Sequence, residues 1–264
     1  MNSLIAMRDR MERRNALRLS LCLALAMVVS ACGAPKNEAT TDAAEMREDD
    51  WAPTPRILGV SPRTSGGVLV RGVAQPGARV ILSGGEGSVV AAAADTQGHF
   101  EIQVDAASGG RLLTPENQVG QVTTPGPQQL LIAGERQELA ALLTEGGASL
   151  RLTPGPALDA LDGDGGGLIA SGRARPGQTV AIRAGGGVAE VTADKQGRWS
   201  VLVPAMADRA GALDVDGQIF DYPGPGSPSG QAERAGDGWR ITRRLSSSAR
   251  QTTWLPDNGG ASPE

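Results

Sequence analysis

The chain repeats itself. Residues 68–106 read VLVRGVAQPGARVILSGGEGSVVAAAADTQGHFEIQVDA, and residues 168–205 read LIASGRARPGQTVAIRAGGGVAEVTADKQGRWSVLVPA. Gly72, Pro76, Gly77 and Val80 match Gly172, Pro176, Gly177 and Val180 at an offset of 100. Asp95, Gly98, Phe100 and Val104 match Asp194, Gly197, Trp199 and Val203 at an offset of 99. The missing residue falls in a Gly-rich stretch, where loop length costs little. A weaker echo follows each copy: Gly120-Gln121-Val122 before Pro125-Gly126-Pro127 returns as Gly217-Gln218-Ile219 before Pro223-Gly224-Pro225. Whatever the first copy folds into, the second should fold into as well. The sequence places the boundary between them near 153–156.

Within each copy the apolar period is two. Val80 and Leu82 alternate with Arg79, Ile81 and Ser83; Val180 and Ile182 alternate with Thr179, Ala181 and Arg183. Phe100, Ile102 and Val104 alternate with His99, Glu101, Gln103 and Asp105, and Trp199, Val201 and Val203 with Arg198, Ser200 and Leu202. That is the pattern of strands covered on one face. Gln75-Pro76-Gly77-Ala78 and Arg175-Pro176-Gly177-Gln178 suit type II turns, with Pro second and Gly third. Asp95-Thr96-Gln97-Gly98 and Asp194-Lys195-Gln196-Gly197 suit type I turns, and Asp216-Gly217 a tight hairpin. Much of the content of 37 Gly and 17 Pro is spent on such turns. Short strands at this spacing predict an all-β chain of two tandem sandwiches. Residues 135–145, ERQELAALLTE, suit a helix or a strand with Leu139, Ala141 and Leu143 on one face; their counterpart at 239–255 reads as a hairpin turning at Ser246–Ser248, which favours strand.

The pattern G-x-A-x-P-G-x-x-V, followed by A-D-x-x-G-x-[FW]-x-[VI]-x-V, resembles bacterial Ig-like domains. The resemblance covers 68–106 and 168–205 and implies Ig-like modules at 56–153 and 154–256, of the kind found in adhesins and other envelope proteins. A carboxypeptidase-regulatory or transthyretin-like sandwich would share much of the pattern.

The N-terminus reads as an address. Arg8, Arg10, Arg13, Arg14 and Arg18 precede the apolar run from Leu19 to Val29. A basic start and a run too short to span a bilayer form a secretory signal. The run ends Val29-Ser30-Ala31-Cys32-Gly33, which resembles the lipobox of bacterial lipoproteins. The resemblance implies a signal peptide at 1–31, removed before Cys32, whose sulfur and new amine are acylated. Several acyl chains anchor stably in the lipid bilayer. Gly33, rather than Asp, points to the outer membrane by the enterobacterial rule. Arg13-Arg14 also has a partial likeness to a twin-arginine export motif. Residues 32–55, polar and acidic, predict a disordered tether with a reach of about 25 Å, and 257–264 a frayed tail.

Composition then excludes chemistry. Cys22 leaves with the signal, so the exported chain has no disulfide. Its one histidine, His99, sits on an outward strand face, which argues against Ser-His-Asp and Cys-His catalysis. Two Cys and one His cannot supply the four ligands of a Cys/His zinc site. The mature chain carries 20 basic against 27 acidic residues, so nucleic acid is not an expected partner. Asp162-Gly163-Asp164 invites a calcium reading, but the twelfth place of an EF-hand loop would be Arg173, and a flexible turn before the strand at Leu168 fits the stretch better. The Gly-rich stretches at 84–87 and 185–187 read as hairpin tips. No cofactor or metal is expected.

The aromatics are lopsided. The second copy and its sequel hold Trp199, Phe220, Tyr222, Trp239 and Trp254, against Phe100 in the first. Most read as core, with Tyr222, Trp239 and Trp254 as candidate ligand-binding residues. Three functions follow. The first is a non-enzymatic envelope lipoprotein, acting as spacer or protein-interaction scaffold. The second is a glycan- or peptide-binding module using those three rings. The third is a hydrolase working through carboxylates alone.

Overall fold

Period-two patterning becomes strands throughout. A computed structural model describes residues 54–257 except 86–88, 106–109, 135–138, 204, 205 and 207. The signal, Cys32, nearly all of the tether and residues 258–264 lie outside the described residues. Those described form twenty strands and no α-helix, and every strand pairing is antiparallel.

The first sheet has the order β1-β2-β5: β1 (Arg56–Pro62), β2 (Val68–Val73) and β5 (His99–Val104). The second sheet runs β10-β9-β8-β6-β3-β4, from β3 (Arg79–Gly84), β4 (Val89–Ala93), β6 (Arg111–Val119), β8 (Gln128–Ala133), β9 (Leu139–Thr144) and β10 (Leu150–Arg151). The short β7 (Val122–Pro125) turns back onto the end of β6. The third sheet runs β15-β12-β11-β20-β19-β18, from β11 (Leu158–Gly163), β12 (Leu168–Arg173), β15 (Arg198–Leu202), β18 (Ala232–Arg234), β19 (Gly238–Arg244) and β20 (Arg250–Pro256). The fourth has the order β14-β13-β16-β17: β13 (Thr179–Ala184), β14 (Gly187–Thr192), β16 (Gly211–Val215) and β17 (Gln218–Tyr222).

The duplicated turns form as their residues dictate. Ala78 N–H donates to Gln75 O at 3.0 Å across a turn whose Gly77 has φ +74°, and Gln178 and Gly177 repeat it. Such a φ belongs to the third place of a type II turn, where Gly carries no steric cost. The Asp95 and Asp194 carboxylates each accept two backbone N–H groups in their turns. Asp216 takes φ +50° in its two-residue hairpin, as a type I′ turn demands.

Three apolar clusters separate four sheets. Val70, Phe100 and Ile102 of the first sheet meet Leu82, Leu113 and Leu130 of the second. Leu161 and Trp254 of the third meet Ile182, Leu213 and Phe220 of the fourth. The remaining cluster joins the halves: Leu131, Ala133, Leu139, Ala141 and Leu143 of the second sheet pack on Ala160, Ile241 and Leu255 of the third. The strands that make it are buried on both faces, which is why QQLLIA and LAALLT read as nearly continuous apolar runs. Residues 139–144 are a strand paired with β8 and β10, as the hairpin counterpart suggests.

The copies differ in one connection. In the first half the hairpin β8–β9 extends the second sheet through β6. In the second half the hairpin β19–β20 extends the third sheet through β11, the strand equivalent to β1. Both hairpins therefore lie at the seam between halves.

Candidate functional site

The seam has a polar border as well as an apolar centre. Asp162, on β11, is almost fully buried. Its Oδ2 accepts Ser149 N–H at 2.7 Å, and its Oδ1 accepts Ser149 Oγ–H at 2.7 Å and Thr253 Oγ–H at 2.6 Å. Ser149 belongs to the first half and Thr253 to the second, so one carboxylate ties both. Gln251 extends the border: its Nε2 donates to Thr144 O at 2.9 Å, and its Oε1 accepts Gly146 N–H at 3.0 Å. Arg243 bridges the halves, donating through Nη1 to Gln129 Oε1 at 2.7 Å and through Nη2 to Gln251 Oε1 at 3.3 Å.

A second polar group lies nearer β12. Arg173 donates from Nη2 to the carbonyls of Arg151 and Thr153 at 2.7 and 2.9 Å, and its Nε meets the Asp159 carboxylate at 3.0–3.1 Å. Arg151 donates to Pro256 O. Ser171 Oγ–H donates to Ser149 O at 2.7 Å. These bonds satisfy many of the polar groups that the meeting of two sheets removes from water, leaving Arg151 Nε and Arg243 Nε without an acceptor among the described residues.

Burial pushes the Asp162 and Asp159 carboxyls above the ordinary carboxylate range. Donors pull the other way: Thr253 and Ser149 on Asp162, Arg173 on Asp159. Burial lowers Arg151 and Arg243, though guanidinium stays charged at any physiological pH. The sign of the linkage follows. A carboxyl whose pKa is higher folded than unfolded holds its proton longer in the native state, so stability falls as pH rises above its ordinary value of 3.8. Unfolding curves from pH 4 to 7 should show this fall, and Asp162→Asn should flatten part of it. An unchanged slope in that variant would show that Asp162 does not carry the effect.

The three ring candidates do not share a surface. Tyr222 and Trp254 are core residues, edge-on at 5.9 Å between centroids. Tyr222 donates its hydroxyl to Asp208 Oδ1 at 2.6 Å, and burial raises its pKa. The Trp254 indole donates to Ala235 O at 2.9 Å. Only Trp239 is partly exposed, and the Arg234 guanidinium sits 5.2 Å from its ring centroid. His99 is exposed, with its ring 3.8 Å from the Asp95 carboxylate.

Asp162 and Asp164 both border a cavity of about 340 Å³, but their carboxylates are engaged separately. Asp164 Oδ1 accepts Gly166 and Gly167 N–H at 2.8 and 3.0 Å, whereas Asp162 faces the seam. Those N–H groups, Gly166 first, hold the Asp164 carboxyl below its ordinary pKa. Among the described residues no three metal-binding side chains gather. The sequence reads Asp162 as part of a turn, whereas the structure places it in β11. The signal for its true place was in LDALDG, where Leu158, Ala160 and Leu161 mark a strand buried on both faces.

No family model matches the chain, and no curated protein does. One solved structure to which it is similar bears the description "Ca2+-stabilized adhesin helps an Antarctic bacterium reach out and bind ice". Identity is 16%, the match covers 78% of this chain and 49% of that one, and the TM-score is 0.22. The chain thus spans about half the length of that adhesin, and a likeness at this TM-score carries no argument.

Proposed function

We propose that this chain is a non-enzymatic lipoprotein of the bacterial cell envelope. In this reading acylated Cys32 anchors it in the outer membrane, and two Ig-like modules face the periplasm as a spacer or protein-interaction scaffold. The observation that supports it is the seam. Three of the buried charged residues nearest to a chemical constellation, Asp162, Arg151 and Arg243, are spent on joining two halves. An apolar centre bordered by such bonds favours one rigid body over two swinging on a linker.

Two measurements test it. Metabolic labelling with a fatty-acid analogue should mark the wild-type chain and be lost in Cys32→Ala. Label retained in that variant overturns the anchor. For the spacer, nitroxides at the exposed positions 91 and 190, placed in the double variant Cys22→Ala, Cys32→Ala, should give one narrow distance distribution by pulsed electron resonance. A broad distribution means independently moving halves and removes the rigid-spacer reading.

A further inference from the structure

The repeat supplies its own control for finding a site, because equivalent positions should differ only where the second copy does something new. Three such differences meet in one place. In the first copy Arg71 and Glu101 are cross-strand partners and form an ion pair at 2.6 Å. Their counterparts are Ser171 and Ser200, partners in the same register. Two long charged side chains have become two short ones. At the strand bulge, Leu58 lies in the first copy and is exposed; Asp159 takes that place in the second and is buried. Phe100 becomes Trp199, which adds one polar atom to an otherwise apolar ring.

These replacements border a cavity of about 260 Å³, lined by Asp159, Ser171, Trp199 and Ser200 of the second half and by Gln128 and Ser149 of the first. Trp199 is 4% exposed, and its Nε1–H has no acceptor among the described residues. Asp159 is 1% exposed, and Arg173 Nε donates to its Oδ2 at 3.1 Å while lying 3.0 Å from its Oδ1, which as a carboxylate oxygen keeps a lone pair for a further donor. A buried donor without an acceptor is destabilising, so its retention calls for a reason.

We infer that this cavity binds a neutral, hydroxyl-rich ligand of saccharide type. A hydroxyl is the group that can accept from Trp199 Nε1 and donate to Asp159 Oδ1. Ser171, Ser200 and Gln128 add groups of the same dual capacity. Of the charged residues that line it, Asp159 is paired with Arg173, which lies outside the lining, and Asp194 and Arg198 carry opposite charges, which favours a neutral ligand over an ion. Gly172 makes the arrangement possible: a Cβ there would lie 2.5 Å from Trp199 Cζ2 and 2.0 Å from Ala157 O. The site is distinct from Trp239 and independent of any lipid on Cys32.

The probes are glucose, N-acetylglucosamine and maltose, offered to the full chain in ligand-observed saturation-transfer NMR. At least one should receive saturation from the wild-type protein. Trp199→Phe installs the residue that the first copy carries at this position, so it should fold, as checked by its melting temperature. It should weaken binding about tenfold, the worth of one hydrogen bond to a buried donor. Ser200→Glu, which restores the first copy's carboxylate, should fill the cavity and abolish transfer. No transfer to any of the three sugars, or equal transfer in wild type and folded Trp199→Phe, overturns the assignment and leaves a cavity that holds water alone.

Discussion

Leu131→Asp should break the molecule at its seam. Leu131 is wholly buried in the cluster that joins the second and third sheets. Its neighbours Leu130 and Ile132 point the other way, into the first half's own core. The substitution therefore forfeits about 2–3 kcal/mol of apolar burial at the junction alone. It also asks a carboxylate to enter that junction unpaired, at a cost of several kcal/mol more. Separating the halves relieves the charge, while each half keeps its core. Thermal unfolding followed by circular dichroism should pass from one transition to two, with new binding of an apolar dye between them. A single transition at the wild-type midpoint would mean that the seam contributes little.

Trp254→Ala attacks the second half directly. The ring is 1% exposed, lies against Tyr222, and donates its one hydrogen bond to Ala235 O. Truncating a buried Trp costs about 3–5 kcal/mol, a large part of a typical domain's stability. Urea denaturation should show that loss as a lower midpoint with little change in slope. Trp254→Phe should recover most of it, falling short by about 1 kcal/mol for the bond to Ala235. Trp239→Ala should cost less than Trp254→Ala, because its ring packs against the seam cluster while only partly buried and its stacking with Arg234 takes place at a partly exposed site. Equal losses at 239 and 254 would contradict this division of roles. Any loss of ligand binding in Trp254→Ala would accordingly report unfolding.

The strands of the repeated segments were legible because one face of each meets water. Alternation at 99–104 and 198–202 marks both the strand and its inner side, and the turns between are spelled by Pro-Gly and by Asp with Gly three places on. The seam was harder to see. A strand buried on both faces loses its alternation, so LAALLT was equally readable as a helix; only its relation to the later hairpin argued otherwise. The face holding Leu139, Ala141 and Leu143 was identifiable, but not that its partner is the other half of the same chain. Sequence also cannot tell a ring that stacks on a ligand from one that fills a core. Tyr222 alternates inward like any core residue, Trp254 lies in a strand buried on both faces, and it is burial that decides. Asp162 shows the reverse error: an acid beside glycines resembles a turn residue until both flanking sheets are in place.

The two hairpins at the seam bear on how such a chain can change over generations. A duplicated module usually stays interchangeable, so further copies can be added or lost. Here β8–β9 extends one kind of sheet and β19–β20 the other, and each covers what its counterpart leaves bare. A first half released alone would display Leu131, Leu139 and Leu143 as a sticky row, and a third copy spliced after the second would find that row already taken. What began as a repeat has become an indivisible pair, able to be inherited, lost or transferred only as a whole.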